Sequence, residues 1–557
     1  MKRGEHRAIA LLIFLSTLSF ASTNDPLEQK LCSEFLAIQH IKESIAQPFI
    51  PSVYDMRISR SKPQRIFASQ RLSPGLISSD IERARQSAIF EDFKTLSDAR
   101  PKQKDSSKVA LKALGLREKI SEMYDFSYEL QPSPLERPNR IISSSNGIAA
   151  ALDFAEKNLE RLYQRTPEKS EGSLLPQPYP GFVSATGRFQ EFYYWDTYFI
   201  TKHLFATKRL ETIKMLVENF LESIRMFGFI PNGTRDYYLS RSQPPFLSSL
   251  IKELVTELLT SSPEQAEQIR QWLRARAYPL LKADYMGFWM NPKTRFDEQT
   301  GLNHHWDLLN LPRPERHSND NEASLGKTFR DVRAAAESGL DFTETFNSSA
   351  SSVAGVLLNS MLYKTEMDLA WIAELLGDES ENRMFVGAAT KRKKAMYKYM
   401  WNANTGRFEN FQLEAHQRIS VLSAETAVPL FVGLVSNTNH VRLIRENLLK
   451  LVRRGGLMAT ELKDSFHQWD GPNGWAPYQL MVTEGLSRYG YHEDARKIAQ
   501  SWVSMVASSY AKTGTMFERM DVENVTYPSV DNLKYPVQRD FLWTSATFVW
   551  FADRYSL

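Results

Sequence analysis

An apolar residue at nearly every third or fourth position is the feature after residue 148 that most constrains the fold. In one segment the apolar positions are Leu210, Ile213, Val217, Phe220, Leu221 and Ile224. This spacing places a single apolar stripe along one face of an α-helix. The same spacing recurs in 368–376, 391–400, 441–451 and 494–510. Strand-like alternation between hairpin turns is scarce, and no fixed-period repeat indicates a solenoid. The sequence therefore predicts a mainly α fold.

The first 21 residues have the organisation of a secretory signal peptide. Lys2, Arg3 and Arg7 form a basic start, residues 8–20 are mainly apolar, and residues 19–21 form a small-x-small cleavage site. This apolar run is short for a membrane span, which needs about 20 residues. The C-terminal residues 541–557 lack the hydrophobic tail of a lipid-anchor signal. The sequence therefore predicts a secreted protein without a membrane anchor.

Cysteine content and charge narrow the possibilities further. Cys32 is the only cysteine among 557 residues, so an exported chain must rely on a buried core rather than on an intrachain disulfide. The net charge of +4 comes without any nucleic-acid-binding motif, so no nucleic-acid partner is predicted. Residues 59–119 are rich in Arg, Lys, Ser, Pro and Gln, a composition typical of solvated or disordered chain. We divide the sequence into a signal peptide (1–21), an N-terminal extension (22–130) and a helical domain (131–557).

Two short stretches combine tryptophan with aspartate in a way that is typical of sugar-binding sites. They are QWDGPNGWAP at 468–477 and GRFQEFYYWDTY at 187–198. Indole faces offer flat apolar platforms for pyranose rings, and Gln468, Asp470 and Asn473 have groups that hydrogen-bond hydroxyls. The alternative is that the tryptophans fill the core between two helices, and composition alone does not decide between these readings.

These stretches resemble the signature motifs of trehalases, the inverting glycoside hydrolases of family 37, which are close to PGGRFxExYxWDxY and QWDxPxGWAP. The second motif matches in full, whereas residues 184–187, SATG, stand in place of the usual VPGG. The resemblance extends over about 172–544. It implies an (α/α)6 toroid, like the six-hairpin glycosidases, with an active site in the loops at one mouth. It also implies an enzyme that hydrolyses the disaccharide α,α-trehalose without a metal or other cofactor.

Inverting hydrolysis of a glycosidic bond requires one protonated and one ionised carboxyl group. Asp341 resembles the general acid of the family motif ESGWDFS, and its neighbours Leu340 and Phe342 would raise its pKa. Glu518, in MFERMD, resembles the general base of an EKYD-type motif. Asp341→Asn and Glu518→Gln are both expected to reduce turnover and to leave the fold intact.

Without the resemblance, each of these acids has a simpler explanation. Asp341 would be a helix cap, because aspartate is common at helix ends. Glu518 would be a surface glutamate paired with Arg519 or Lys512. With 65 acidic residues in the chain, spacing alone does not choose between these interpretations and catalysis.

The resemblance also supplies the residues expected to bind substrate. They are Arg188, Trp195, Asp196, Asn232, Arg241, Gln243, Arg313, Glu315, Gly339, Trp469, Asp470 and Trp475. Arginine suits this role because its planar fork donates two parallel hydrogen bonds and stays charged at any relevant pH. The adjacent His304 and His305 lack metal-ligand spacing and are expected to line a loop.

Three departures from the family pattern leave alternatives open, and the change at residues 184–186 is the first. Leu340 stands where the family has tryptophan, which removes one aromatic wall. Residues 529–536, SVDNLKYP, replace a glycine-rich lid of the form GGGGEYP. Lys534 in this lid would lower the pKa of Glu518 or Asp341 and shift activity to acid pH, unless it points to solvent. The alternatives to a trehalase are a catalytically weakened sugar-binding homologue and a hydrolase of another α-glucoside.

Three Asn-x-Ser/Thr sequons, at Asn232, Asn347 and Asn524, predict a glycoprotein if the secretory route is eukaryotic. Because Asn232 belongs to a motif of the expected pocket, we predict that it is unmodified even where the other two carry glycan.

Overall fold

The computed structural model describes residues 134–138, 148–166, 173–316, 328–346, 349–465, 467–527 and 537–557. The predicted signal peptide (1–21), the N-terminal extension (22–130), Asn347 and Lys534 lie outside these ranges. No helix within the described ranges is long and apolar enough to cross a membrane.

Most of the described chain is helical. In chain order the α-helices are α1 (Ala149–Arg161), α2 (Tyr194–Ala206), α3 (Leu210–Phe227), α4 (Leu247–Ser261), α5 (Ala266–Trp272), α6 (Tyr278–Ala283), α7 (Phe329–Ser338), α8 (Val356–Leu375), α9 (Glu379–Tyr399), α10 (Val428–Phe431), α11 (Thr438–Leu449), α12 (Ala476–Arg488), α13 (His492–Thr513) and α14 (Leu542–Tyr555). Two π-helical segments, Leu273–Ala277 and Asp284–Trp289, continue α5 and α6.

Six of these helices form an inner ring. Helices α4, α8, α10, α12 and α14 pack each against the next, and α14 packs against α2, which closes the ring. Helices α2 and α4 are joined by Tyr194, whose hydroxyl accepts a hydrogen bond of 2.9 Å from the Leu247 amide. Every residue of α2 is buried, as an inner helix requires.

The outer ring consists of α1, α3, the α5–α6 stretch, α9, α11 and α13, and it alternates with the inner ring along the chain. Helix α9 shows the outer character, since only Phe385, Ala389, Arg392 and Met396 are buried along its 21 residues. Two rings of six helices make an (α/α)6 toroid. This architecture confirms the predicted fold class.

The predicted apolar stripes lie in the core. Ala495, Ile498, Ala499 and Trp502 of α13 are each at most 1% exposed. The five segments with helical spacing all fall within α3, α8, α9, α11 and α13, apart from one or two terminal residues. The period was a reliable signal because each stripe faces the neighbouring ring.

The strands are short and lie in the loops between helices. They are β1 (Tyr163–Gln164), β2 (Gly181–Phe182), β3 (Phe296–Asp297), β4 (Leu302–Asn303), β5 (Val353–Ala354), β6 (Trp401–Asn402), β7 (Arg407–Phe408), β8 (Asn410–Gln412), β9 (Gln417–Ile419), β10 (Val452–Arg453), β11 (Gly456–Leu457), β12 (Asn473–Trp475) and β13 (Arg519–Asp521). All the pairings are antiparallel: β1–β2, β3–β4, β6–β7, β10–β11, β12–β13 and the three-stranded β5–β8–β9.

The β12–β13 pair matters most for the site. In its register Trp475 lies opposite Arg519, and Gly474 lies opposite Met520. This pairing brings the tryptophan-rich stretch 468–477 beside Glu518, although more than 40 residues of chain separate them.

Candidate active site

Four tryptophans form one packed cluster at the centre of the site. The rings of Trp469 and Trp475 stack with 3.8 Å between centroids and 4° between planes. Trp195 lies 5.7 Å from Trp469, and Trp543 meets Trp475 edge-on at 5.7 Å. All four are at most 4% exposed, and Trp475 is completely buried. Trp475 therefore fills the core and supports Trp469 from behind, as the alternative interpretation of this stretch predicted for its tryptophans.

Gly339 fixes how the loop after α7 crosses this cluster. It ends α7 with φ +76°, a conformation that favours glycine. A Cβ atom added there would lie 2.5 Å from the Trp195 ring. Glycine therefore permits both the turn and the close approach, and the chain reaches Asp341 two residues later. The start of α7 is equally defined, by a capping box between Thr328 and Asp331.

Asp341 is accessible and is paired with an arginine. The Nη1 atom of Arg313 donates a 3.1 Å hydrogen bond to Asp341 Oδ2. The Asp341 side chain is 34% exposed, whereas that of Arg313 is 1% exposed. Leu340 is buried and Phe342 lies 5.8 Å from the Arg313 guanidinium, so the expected apolar neighbours are present. The sequence did not indicate that the acid also has a buried cation beside it.

Glu518 is buried and is also paired with an arginine. Arg519 Nη1 donates to Glu518 Oε2 at 3.2 Å, and the two side chains are 0% and 3% exposed respectively. The backbone of Glu518 is held on both sides, by the Gln538 carbonyl at 3.0 Å and by Trp543 Nε1 at 2.8 Å. The simpler explanation was therefore right about Arg519 and wrong about a surface position.

Asp196 connects the two candidate catalytic acids. It lies in the first turn of α2 and is 5% exposed. Burial, together with the negative charges of Glu518 and Asp341, raises the pKa of Asp196 to about 7, against the lowering effect of a hydrogen bond from Ser184. Electrostatic coupling of this kind requires short distances. The three carboxyl groups therefore belong to one site.

A second cluster of opposite charges surrounds Arg241. Its Nη2 atom donates to Glu315, its Nη1 atom lies 3.5 Å from Asp307, and its guanidinium lies 5.0 Å from the Tyr238 ring centre. Asp307 also pairs with Arg333 at 2.9 Å. Although burial raises the pKa of Glu315, the three neighbouring arginines lower it below its ordinary value. Arg241 is therefore held rigidly by carboxylates that stay ionised.

Arg188 occupies a different position from the other arginines. It is exposed, and its Nη2 atom donates to the Glu315 carbonyl at 3.0 Å. The backbone amide of Arg188 donates to Gln538 at 2.8 Å. These contacts place Arg188 at the rim of the Arg241 cluster, where it can reach solvent.

Two of the predicted substrate-binding amides are engaged with the protein. Asn232 Nδ2 donates to the Ser242 carbonyl at 3.0 Å and to the Ala336 carbonyl at 3.3 Å. Gln243 Oε1 accepts from the Trp195 backbone amide at 3.0 Å. Both side chains are buried. They hold the loops that carry the tryptophan and arginine side chains.

Asp470 is fully engaged in the same way. Its carboxylate accepts hydrogen bonds from Thr343 (2.8 Å), Thr460 (3.2 Å), Ser465 (2.7 Å) and the Glu344 amide (3.1 Å). A carboxylate has about four acceptor positions, so little capacity remains for a sugar hydroxyl. The neighbouring Gln468 differs, since both polar atoms of its buried amide group lack a partner among the described residues.

The adjacent histidines line a loop beside α7, as expected. His305 Nδ1 lies 3.2 Å from Glu337, which also pairs with Arg295. Burial opposes ionisation of Glu337, but these partners lower its pKa to about 2. In the described parts of the chain, no group of three or more His, Cys, Asp or Glu side chains is arranged to hold a metal ion.

Comparisons with known proteins agree with this arrangement. The family model described as Trehalase matches residues 76–556. The chain belongs to the trehalase family. It is 31% identical over 502 residues to a periplasmic trehalase of Escherichia coli, covering 85% of each chain.

Two solved structures of glycoside hydrolases share the fold of this chain. The neutral trehalase from Saccharomyces cerevisiae aligns with a TM-score of 0.59 and 26% identity, covering 73% of this chain and 80% of that one. A mannosylglycerate hydrolase from Thermus thermophilus, in complex with glucose, aligns with a TM-score of 0.53 and 15% identity, covering 72% of this chain and all of that one. The second likeness concerns the toroid alone.

Several residues of this trehalase-family site were not singled out from the sequence. Trp543 lies near the end of the stretch that resembles the family, but its contact with the Glu518 backbone had no sequence signal. Asp307, close to His304 and His305, and Arg333, in the stretch that leads to Asp341, had no sequence signal for their pairing with each other. Ser184 was visible only as a departure from the family pattern, and its hydrogen bond to Asp196 had no sequence signal.

Proposed function

We propose that this member of the trehalase family hydrolyses α,α-trehalose to two glucose molecules with inversion, with Asp341 as general acid and Glu518 as general base. The observation that carries the proposal is that both acids border one tryptophan cluster: Gly339, two residues before Asp341, lies against Trp195, and Trp543 Nε1 donates to the Glu518 carbonyl. An inverting glycosidase needs two carboxyl groups that face one substrate from opposite sides of the scissile bond. Their carboxyl groups should lie about 6.5–9.5 Å apart, which leaves room for the attacking water.

The different exposure of the two acids fits their proposed roles. Asp341, 34% exposed, can regain a proton from solvent after each turnover. Glu518 is nearly buried beside Arg519, which supplies a counter-charge for the ionised form that a general base requires. Arg313, held against Asp341, would orient its carboxyl toward the interglycosidic oxygen.

For substrate binding we assign different tasks to the predicted residues. Trp195 and Trp469 are proposed to contact the sugar, because the tryptophan cluster lies between the backbone that leads to Asp341 and the backbone of Glu518. Arg188 and Arg241 are proposed to contact it as well, because both lie beside Glu315, which also neighbours Arg313, the partner of Asp341. Asn232, Gln243, Asp470 and Trp475 are proposed to brace the loops instead, because their polar groups or faces are engaged with the protein. Gly339 contributes by admitting the Trp195 ring.

A glucose-release assay on trehalose, maltose and sucrose tests the proposal. We expect release from trehalose at a rate far above that from the other two. Equal or faster release from maltose or sucrose would favour a hydrolase of another α-glucoside. Calorimetric binding of trehalose without glucose release would favour the weakened sugar-binding homologue.

We also propose that the chain is exported, with residues 1–21 as a cleaved signal peptide and 131–557 as the catalytic domain. The support is the basic and apolar pattern of the first residues, and relatives described as periplasmic trehalases. Secretion beyond the cell and glycosylation at Asn524, which is exposed, belong to the same proposal. Amino-terminal sequencing of the exported protein tests it, and a mature chain that begins at Met1 would contradict it.

A further inference from the structure

We propose that Ser184 is a positioning residue whose hydroxyl fixes the orientation of the Asp196 carboxyl group and favours its charged form, so that Asp196 accepts hydrogen bonds from the substrate. This inference rests on the proposed function. It concerns a residue outside the catalytic pair and outside the predicted set of sugar contacts.

The geometry leaves the Ser184 hydroxyl little freedom. Ser184 is completely buried, and its Oγ atom donates to Asp196 Oδ1 at 2.8 Å. Its carbonyl accepts a 2.9 Å hydrogen bond from the Leu542 amide at the start of α14. The residue is thus fixed between α14 and α2, the two helices that close the inner ring. A donor held in this way stabilises the charged form of the carboxylate.

The charges around Asp196 explain why this donor matters. Glu518, on the segment before β13, and Asp341, after α7, both act on Asp196 with negative charge. Their arginine partners, Arg313 and Arg519, contact those two acids instead. Among the described residues no basic side chain forms an ion pair with Asp196.

No other charge on α2 takes over this role. Lys202, on the same helix, pairs with Glu253 rather than with Asp196. His203 contacts Glu156. From α14, the Trp543 ring contacts Trp195 and the Leu542 amide bonds the Ser184 carbonyl, and neither group is charged. Besides the Asp196 backbone amide, the Ser184 hydroxyl is therefore the donor that favours the charged form of Asp196.

Loss of this donor has a defined consequence for the reaction. A protonated carboxyl donates one hydrogen bond and loses acceptor capacity, so a substrate hydroxyl that it bound as acceptor is released. Removal of the Ser184 hydroxyl raises the pH at which Asp196 ionises. The acidic limb of kcat/KM, which belongs to the coupled carboxyl groups together, then moves to higher pH.

The experiment compares Ser184→Val with Ser184→Thr. The two side chains have nearly the same shape, and only threonine keeps the hydroxyl. We expect the acidic limb of kcat/KM for trehalose to move up by about one pH unit in Ser184→Val and to stay near the wild-type position in Ser184→Thr. Superimposable profiles of the two variants would overturn the inference. A loss in Ser184→Val that is independent of pH would also overturn it, because it would indicate a purely structural role.

If valine and threonine are too large for this buried position and their variants do not fold, Ser184→Ala provides the test. It adds no volume and lacks the hydroxyl, so its acidic limb should move in the same direction as in Ser184→Val. An unshifted limb in Ser184→Ala would contradict the inference.

A second readout does not depend on turnover. Because the pKa of Asp196 in the folded chain is above the unfolded value of about 3.9, folding stability falls as pH rises between those two values. Ser184→Val extends this interval upward, so its melting temperature should fall increasingly below that of Ser184→Thr as pH rises from 6 to 9. If the wild type does not hydrolyse trehalose, the proposed function is refuted, but a melting-temperature gap that widens with pH would still support the role of Ser184. Normal turnover with a constant gap and an unshifted limb would refute the role of Ser184 alone.

Discussion

The substitution Glu518→Gln removes a negative charge from a buried ion pair and changes little else in shape. From sequence alone, Glu518→Gln and Asp341→Asn are expected to behave alike, with reduced turnover and an intact fold. The structure separates them. Glu518 is 3% exposed against a wholly buried Arg519, whereas Asp341 is 34% exposed. Both variants should lose about two or more orders of magnitude in kcat, the usual contribution of a general acid or base.

The stability effects should differ because of burial. Loss of one partner of a buried ion pair costs about 3 kcal/mol, since the remaining charge is left without compensation. For Arg519 the cost is not relieved nearby, because its Nε and Nη2 atoms have no partner among the described residues. With an unfolding entropy of about 2 cal/mol/K per residue over roughly 400 residues, this cost lowers Tm by about 3–4 °C. The cost for Asp341→Asn should be smaller, about 1 kcal/mol or about 1 °C, because Asp341 is partly solvated and Arg313 keeps the negative charge of Glu315 nearby.

Scanning calorimetry and a glucose-release assay on the same preparations check both effects. Glu523→Gln is the matched control, because Glu523 is paired with Lys463 and Arg453 and is 33% exposed. This control should keep wild-type turnover and change Tm by no more than about 1 °C. A wild-type Tm for Glu518→Gln would show that the buried pair is not as described. Near-native turnover of Glu518→Gln would remove Glu518 as the base.

Four further outcomes follow from the same contacts. Arg241→Ala should weaken transition-state binding by a few kcal/mol, seen as a lower kcat/KM, and should also lower Tm. A change in Tm alone would mean that Arg241 only supports the surrounding loops. Gly339→Ala should reduce stability by about 1–3 kcal/mol through its positive φ and the clash with an indole, and a wild-type urea midpoint would refute this. The pKa of Glu337 is lowered in the folded chain, so the stability that its ionised form contributes is lost as pH falls below about 4.5. The Tm difference between wild type and Glu337→Gln should therefore shrink between pH 5 and 2, and a constant difference would contradict this. Glycopeptide mapping after expression in a eukaryotic host should find glycan at Asn524 and none at Asn232, whose amide nitrogen is buried and bonded, and glycan on Asn232 would refute its placement.

The fold was predictable from sequence because the ring helices satisfy a local rule. The apolar stripe that contains Ile213, Val217 and Leu221 can be read from one segment of the sequence, and these residues are among those that the helix buries. The two tryptophan-containing motifs likewise come together in one cluster. Local patterns of this kind survive folding because they do not depend on which distant residue becomes a neighbour.

The roles inside the motifs were less predictable because partners come from distant segments. Asp470 lies in a sugar-site motif, yet it is saturated by Thr343, Thr460, Ser465 and the Glu344 amide. No spacing within 468–477 indicates those donors. The burial of Glu518 depends in the same way on the β12–β13 register.

Ser184 is a residue outside the matching motifs whose role also depends on a partner from another part of the chain. As a sequence feature it is only a departure from a family pattern. Its meaning comes from a hydrogen bond to Asp196, twelve positions along the chain and across the start of α2. Such a contact follows from the path of a loop, which local propensity does not determine.

The most direct test of the account is the anomeric configuration of fresh product. Proton NMR recorded within the first minutes of trehalose hydrolysis, before mutarotation, resolves the two glucose molecules. Attack of water opposite Asp341 inverts one anomeric centre, while the leaving glucose keeps its configuration. We predict one β-glucose and one α-glucose for each trehalose cleaved. Two α-glucose molecules would contradict an inverting pair made of Asp341 and Glu518.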